Sequence, residues 1–181
     1  TPAEDEIVID LDPGAAFGTG AHATTAMCLR WLERLVSPQM RVYDVGCGSG
    51  ILAVAAAKLG AGEVIAMDYD PVAVSVAEEN IRQNNVHNVV ACESDLLSAC
   101  EGAAPAELIT ANIIADVIIR LFAQLDRHLA PGGTLLASGI IDDRIAGVEH
   151  AAAEHGFTVL DMTCEKEWAA MIIRRTSDLK N

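Results

Sequence analysis

From residue 41 to residue 174 the chain alternates short apolar runs with segments of helical periodicity, and that alternation leaves few folds open. Strands are expected at 41–45, 63–67, 88–92, 107–111 and 134–138. Helices are expected at 51–59, 71–84, 116–129 and 143–155, the third closed by Pro131-Gly132-Gly133. An earlier helix at 24–35 carries Met27, Leu29, Trp31, Leu32 and Leu35 at helical spacing and stops at Ser37-Pro38. Strands joined through helices run parallel, and a parallel sheet must be covered on both faces. The last two strands, 157–164 and 168–174, are joined only by Glu165-Lys166-Glu167. That link is too short for a crossover, so these two pair antiparallel. The expectation is one α/β layered domain.

The sharpest local signal is Asp44-Val45-Gly46-Cys47-Gly48-Ser49-Gly50, which joins the first of these strands to an Ala-rich helix. Glycines at alternate positions (Gly46, Gly48, Gly50) let the backbone turn sharply and approach a ligand where a Cβ would collide. Asp68 ends the next apolar run, 22 residues after Gly46, where a βαβ unit delivers a carboxylate to a ribose diol. The pair points to a bound nucleoside. A dinucleotide fingerprint would read G-x-G-x-x-G, but here the third glycine comes one residue early and Asp44 precedes the first by two. A carboxylate at Asp44 repels phosphates and can receive an ammonium group, which favours S-adenosylmethionine over NAD. Asp70 competes with Asp68 for the ribose, but Asp before Pro71 is a helix-start signal. Asp95, after the third strand, is placed to reach the adenine amino group, or is simply a solvated turn carboxylate.

Composition narrows the partners. Apolar residues make up 51% of the chain, which excludes general disorder, and no run reaches the ~18 residues of a membrane span. A net charge of −14 argues against nucleic acid, since phosphate binding needs surplus Lys and Arg. Cys28, Cys47, Cys92, Cys100 and Cys164 form no C-x-x-C pair, and the five histidines do not cluster, so no metal is expected. Several of the cysteines sit in apolar runs, as small buried hydrophobes in a reducing cytoplasm would.

The segment Leu11-Asp12-Pro13-Gly14-Ala15-Ala16-Phe17-Gly18-Thr19-Gly20-Ala21-His22-Ala23-Thr24-Thr25 resembles the L-D-P-G-x-A-F-G-T-G-x-H-x-T-T signature of the PrmA-type ribosomal protein methyltransferases. The similarity continues through the glycine turn, Asp68-Tyr69-Asp70-Pro71, Asn112-Ile113-Ile114-Ala115 and Glu165-Lys166-Glu167-Trp168, and covers essentially the whole chain. It implies the Rossmann-like class I methyltransferase fold, a seven-stranded, mostly parallel sheet with an antiparallel last strand and helices on both faces. Implied cofactor contacts are Thr25, Gly46, Asp68 and Asn112, with S-adenosylmethionine as cofactor. Phe17 and Gly18 would belong to a loop closing over it, unless Phe17 only anchors the amino-terminal arm. His22 is a candidate for catalysis, although a lone His before a helix is more often structural. Residues 1–12 look like a linker from an upstream substrate-recognition domain, and 13–181 like the catalytic domain.

The implied reaction is methylation of amino groups, lysine side chains or the amino terminus, on large-subunit ribosomal protein eleven in the cytoplasm. Asn112 would sit beside the reacting methyl and orient the amine, or only pack against the methionine end of the cofactor. Nucleic-acid amino-methyltransferases often carry Pro-Pro-aromatic after this Asn. Ile113, Ile114 and Ala115 offer no such stacking platform, which disfavours a base as acceptor. A related enzyme with another substrate, or a cofactor-binding module without turnover, would carry the same turn.

Overall fold

The computed structural model describes residues 6–12 and 22–180. In chain order the elements are α1 (Ala23–Leu35), β1 (Arg41–Val45), α2 (Ile51–Lys58), β2 (Glu63–Asp68), α3 (Pro71–Gln83), β3 (Val89–Glu93), β4 (Ala106–Asn112), α4 (Ala115–His128), β5 (Leu129–Ile141), α5 (Ile145–Glu154), β6 (Phe157–Glu165) and β7 (Trp168–Arg175). They build one seven-stranded sheet in the order β3-β2-β1-β4-β5-β7-β6. β7 lies antiparallel between β5 and β6, and the pairs among β1 to β5 are parallel. The expected α/β sandwich with its antiparallel last strand is therefore what this sequence forms.

Two apolar layers hold the sheet. Alternate strand residues point to opposite faces. Val42, Val64, Leu108 and Leu136 join Met27, Leu32 and Ile81 under α1, α2 and α3. Tyr43, Ile109, Leu135 and Ile173 join Ile118, Leu121, Phe122 and Val148 under α4 and α5. α2 is buried almost all round, lying on the sheet between α1 and α3, which explains its run of alanines. A Cβ on Gly50, at the start of α2, would lie 3.3 Å from the Ala77 backbone of α3. Asp70 caps α3, its carboxylate accepting from the Val72 amide at 2.9 Å, with Pro71 in the first turn.

One expectation needs correction. Pro131-Gly132-Gly133 does not close α4, which ends at His128 because its chain leaves directly into β5. Leu129 pairs with Ala106 and Thr134 with Leu108, so the Pro-Gly-Gly stretch is an excursion within the strand. Gly132 supplies the positive φ of +72° that such a bulge needs. The strand also runs past Ser138 to Ile141 through a second irregularity at Gly139.

Candidate active site

The carboxyl ends of β1, β2 and β4 open onto a cavity of about 940 Å³, the position where parallel α/β sheets bind ligands. Thr25, Asp44, Gly46, Gly48, Asp68, Asp95 and Asn112 all line it. These residues are scattered along the chain over four elements and two loops, and the fold brings them to one place. Phe17 and Gly18 lie outside the described residues.

Asp44 forms part of the floor. Its Oδ1 accepts from the Thr110 hydroxyl at 2.7 Å. Its Oδ2 is the one buried side-chain oxygen or nitrogen without a hydrogen-bond partner among the described residues. Burial pushes the Asp44 carboxyl up to about 6; the Thr110 hydroxyl and the Ala53 amide pull the other way, and the charge of Asp68 adds to the rise. An orphaned carboxylate oxygen beneath a cavity is costly unless a cationic donor arrives from above.

The glycine turn is tied down by its own amides. Gly46 and Cys47 both donate to the Met67 carbonyl (2.8 and 2.9 Å), and Gly50 donates to the Cys47 carbonyl at 2.8 Å. Gly48 donates to Asp68 Oδ2 at 2.9 Å. Those four amides are thus occupied within the protein and are not offered to a pyrophosphate. Gly46, at φ +70°, packs against Ile113, whose Cγ2 would lie 2.3 Å from an added Cβ. Asp68 Oδ1 accepts from the Asp70 amide at 3.0 Å, so both carboxylate oxygens are oriented by backbone while retaining acceptor capacity. Asp70 is occupied in capping α3 and is not among the cavity-lining residues, whereas Asp68 is.

Asp95 lines the cavity, and its side chain is 60% exposed, 3.5 Å from Arg120 of α4. Asn112 Nδ2 donates to Thr25 Oγ1 at 3.4 Å, joining the end of β4 to α1. His22 caps α1 and lies edge-on to Trp168, with ring centroids 5.1 Å apart; both line the cavity. Burial pushes the Cys47 thiol up, with Asp44 and Asp68 adding to the rise, so it stays protonated and is a poor nucleophile. Among the described residues no cluster of three or more His, Cys, Asp or Glu could hold a metal ion, and no helix is long and apolar enough to cross a membrane.

Among the lining residues that were not foreseen as site residues, Arg120 carries no signal beyond its helix periodicity, and Trp168 only its place in the Glu165-Lys166-Glu167-Trp168 match. Gly139 did have one: a lone glycine in an apolar strand marks a bulge. Its φ is +82°, and a Cβ there would sit 2.5 Å from the Ile113 carbonyl oxygen, so the bulge lets β5 pass close beside the Asn112-Ile113 turn.

A family model described as ribosomal protein L11 methyltransferase (PrmA) matches residues 1–176. The chain belongs to the ribosomal protein L11 methyltransferase family. It is 52% identical over 175 residues to the family member of Caldanaerobacter subterraneus subsp. tengcongensis, an overlap covering 97% of this chain and 56% of that protein. With the Heliobacterium modesticaldum member it shares 50% identity over 175 residues, 96% of this chain and 55% of the relative. The chain thus spans about half the length of the curated relatives it matches. Its fold superimposes on the crystal structure of a ribosomal protein L11 methylase from Lactobacillus delbrueckii subsp. bulgaricus with a TM-score of 0.89 at 38% identity, over 97% of this chain and 89% of that one. The sheet described above is accordingly the class I methyltransferase fold of this family.

Proposed function

We propose that this chain binds S-adenosylmethionine in the cavity and carries the catalytic part of a methyltransferase acting on amino groups of ribosomal protein L11. The observation that carries the reading is the lone, buried Asp44 oxygen beneath a cavity whose rim presents Asp68. A zwitterionic nucleoside matches that pair: its ammonium answers Asp44 and its ribose hydroxyls answer the remaining lone pairs of Asp68. Asp95 is in reach of the far end, where it would accept from the adenine amino group. Thr25 and the Asn112 side chain flank the methionine end.

The cofactor, when bound, supplies a methyl group on a good leaving group, so the protein has mainly to position the acceptor. An ammonium has no lone pair, so the acceptor must arrive as, or become, the free amine. The Asn112 side-chain oxygen and the backbone carbonyls beside it can accept amine hydrogens and turn the lone pair inward. Ile113, Ile114 and Val117 add apolar wall on the same side, and Ile114 is 65% exposed at the mouth. That surface suits the aliphatic stem of a lysine better than a planar base. No nucleic acid is needed as a partner, and the cytoplasm is where such a substrate is made.

Transfer of tritiated methyl from S-adenosylmethionine to purified ribosomal protein L11 tests the proposal. Labelled L11 supports it. Cofactor binding with no label on L11, in a chain extended to the length of its relatives, would refute the substrate. Retention of full affinity and turnover by Asn112→Ala would remove the role given to Asn112.

A further inference from the structure

Two buried asparagines of α3 lie outside the cavity and face neither cofactor nor solvent. Asn80 is 0% exposed and Asn84, at the end of the helix, 7%. They are four residues apart and so share one face of the helix. Buried amides are costly unless hydrogen-bonded, so their partners matter. Asn80 Oδ1 accepts from the Asp12 amide at 3.0 Å, and its Nδ2 donates to the Ser49 carbonyl at 2.8 Å. Asn84 Oδ1 accepts from the Asp10 amide at 3.0 Å, while its Nδ2 donates to the Asp10 carbonyl at 2.6 Å and to the Asn80 carbonyl at 2.8 Å. Asn84 therefore pairs with Asp10 through both backbone groups, as an adjacent strand would. Asn80 holds the extended arm, residues 6–12, with one end of its amide and the glycine turn with the other.

The rest of the arm fits the same picture. Ile9 and Leu11 are partly buried against the layer under α1 to α3, alternating with exposed Asp10 and Asp12. Lys58 Nζ at the end of α2 donates to the Val8 carbonyl at 2.5 Å. On the other side of Asn80, Ser49 stands between Gly48, whose amide orients Asp68, and Gly50, which opens α2. A carboxamide is planar and rigid, so a shift at its oxygen is felt at its nitrogen.

We propose that Asn80 is a positioning residue for cofactor binding, coupling the docking of residues 6–12 to the shape of the glycine turn. The coupling rests on the reading of the cavity as an S-adenosylmethionine site. It is reciprocal: the factor by which a docked arm tightens the cofactor is the factor by which the cofactor holds the arm. One hydrogen bond of ordinary net strength sets that factor at roughly fivefold. A load carried by the chain ahead of residue 6 would reach the cofactor site through this contact.

The test is amide hydrogen exchange on the whole chain with and without S-adenosylhomocysteine, alongside calorimetric titration of the same ligand. The expected result is that saturation slows exchange at the Asp10 and Asp12 amides about fivefold. Asn84→Ala loosens the arm without touching the Ser49 bond, and is expected to weaken S-adenosylhomocysteine by up to about the same factor. Asn80→Ala should abolish the ligand dependence at Asp12. If that variant does not fold, the wild type and Asn84→Ala decide the matter. A purely structural role predicts lower melting temperatures with unchanged affinity in the folded protein. Binding of S-adenosylhomocysteine with unchanged exchange at Asp12, or wild-type affinity in Asn84→Ala, overturns the coupling alone. Failure of the wild type to bind this ligand at all overturns the cofactor reading and the coupling with it.

Discussion

Asp44→Asn should make the folded protein more stable near neutral pH while weakening the cofactor. Asp44 is fully buried, and burial raises its carboxyl from the ordinary 3.8 to about 6. Well below pH 3.8 the group is protonated in both folded and unfolded chains and contributes no difference. As pH rises, the unfolded chain releases this proton first and the folded chain keeps it until about pH 6, so stability falls across that window and stays low above it. A displacement of that size corresponds to about 3 kcal/mol. Asparagine keeps the shape and the bond from Thr110 but does not titrate. Urea unfolding of both proteins at pH 4, 5, 6 and 7 isolates the effect, because other groups titrate alike in the two and cancel. The variant should gain on the wild type by about 2 kcal/mol between pH 4 and pH 7, the rest of the displacement falling below pH 4. A constant difference at every pH, or a wild type that gains on the variant, would refute the assignment of a desolvated carboxylate. The same reasoning gives a binding signature. Near pH 5.5, S-adenosylhomocysteine should expel about three-quarters of a proton from the wild type and none from Asp44→Asn, as read by calorimetry in buffers of different ionisation enthalpy.

Other substitutions follow from the same contacts. Gly46→Ala combines a φ of +70° with a Cβ 2.3 Å from a side-chain methyl of Ile113, and should cost about 1–3 kcal/mol in urea unfolding. Gly139→Ala should cost more, because its Cβ meets the Ile113 carbonyl oxygen at 2.5 Å, and backbone cannot rotate away; equal or smaller loss would contradict the packing described. Asp68→Asn must turn an NH2 group toward the Gly48 or the Asp70 amide, so about 1–3 kcal/mol of stability should go together with cofactor affinity. Arg30→Ala removes an ion pair to Glu165 whose side chains are 54% and 42% exposed, and its melting curve should move by no more than ~1 kcal/mol.

Much of the architecture was legible because it depends on local rules. Apolar runs of strand length, helix starts such as Asp70-Pro71 and the short Glu165-Glu167 link each act over a few residues. The turn at Asp44 to Gly50 was legible for the same reason, since its chemistry is contiguous. What stayed hidden depends on neighbours distant in sequence. Asn80 reads as an ordinary polar helix residue until Asp12 and Ser49, 68 and 31 residues away, close on its two ends. Pro131-Gly132-Gly133 reads as a stop, because a bulge in β5 is defined only by its register with β4. The choice between the two readings of Asp95 stays open for a physical reason: a carboxylate at a cavity rim can meet a ligand and is at the same time a solvated ion-pair partner of Arg120. The burial of Asp44 was also out of reach. Its position before the glycine turn suggested an ammonium partner, but the lone Oδ2 emerges only when β1 is enclosed between β2 and β4.

The most direct measurement is a pair of calorimetric titrations of the wild-type chain, one with S-adenosylhomocysteine and one with NAD. A floor carboxylate with one unpartnered oxygen and a turn whose amides are already occupied predict saturable one-to-one binding of S-adenosylhomocysteine and no binding of NAD. Binding of NAD, or failure of S-adenosylhomocysteine to bind, would contradict the account at its centre.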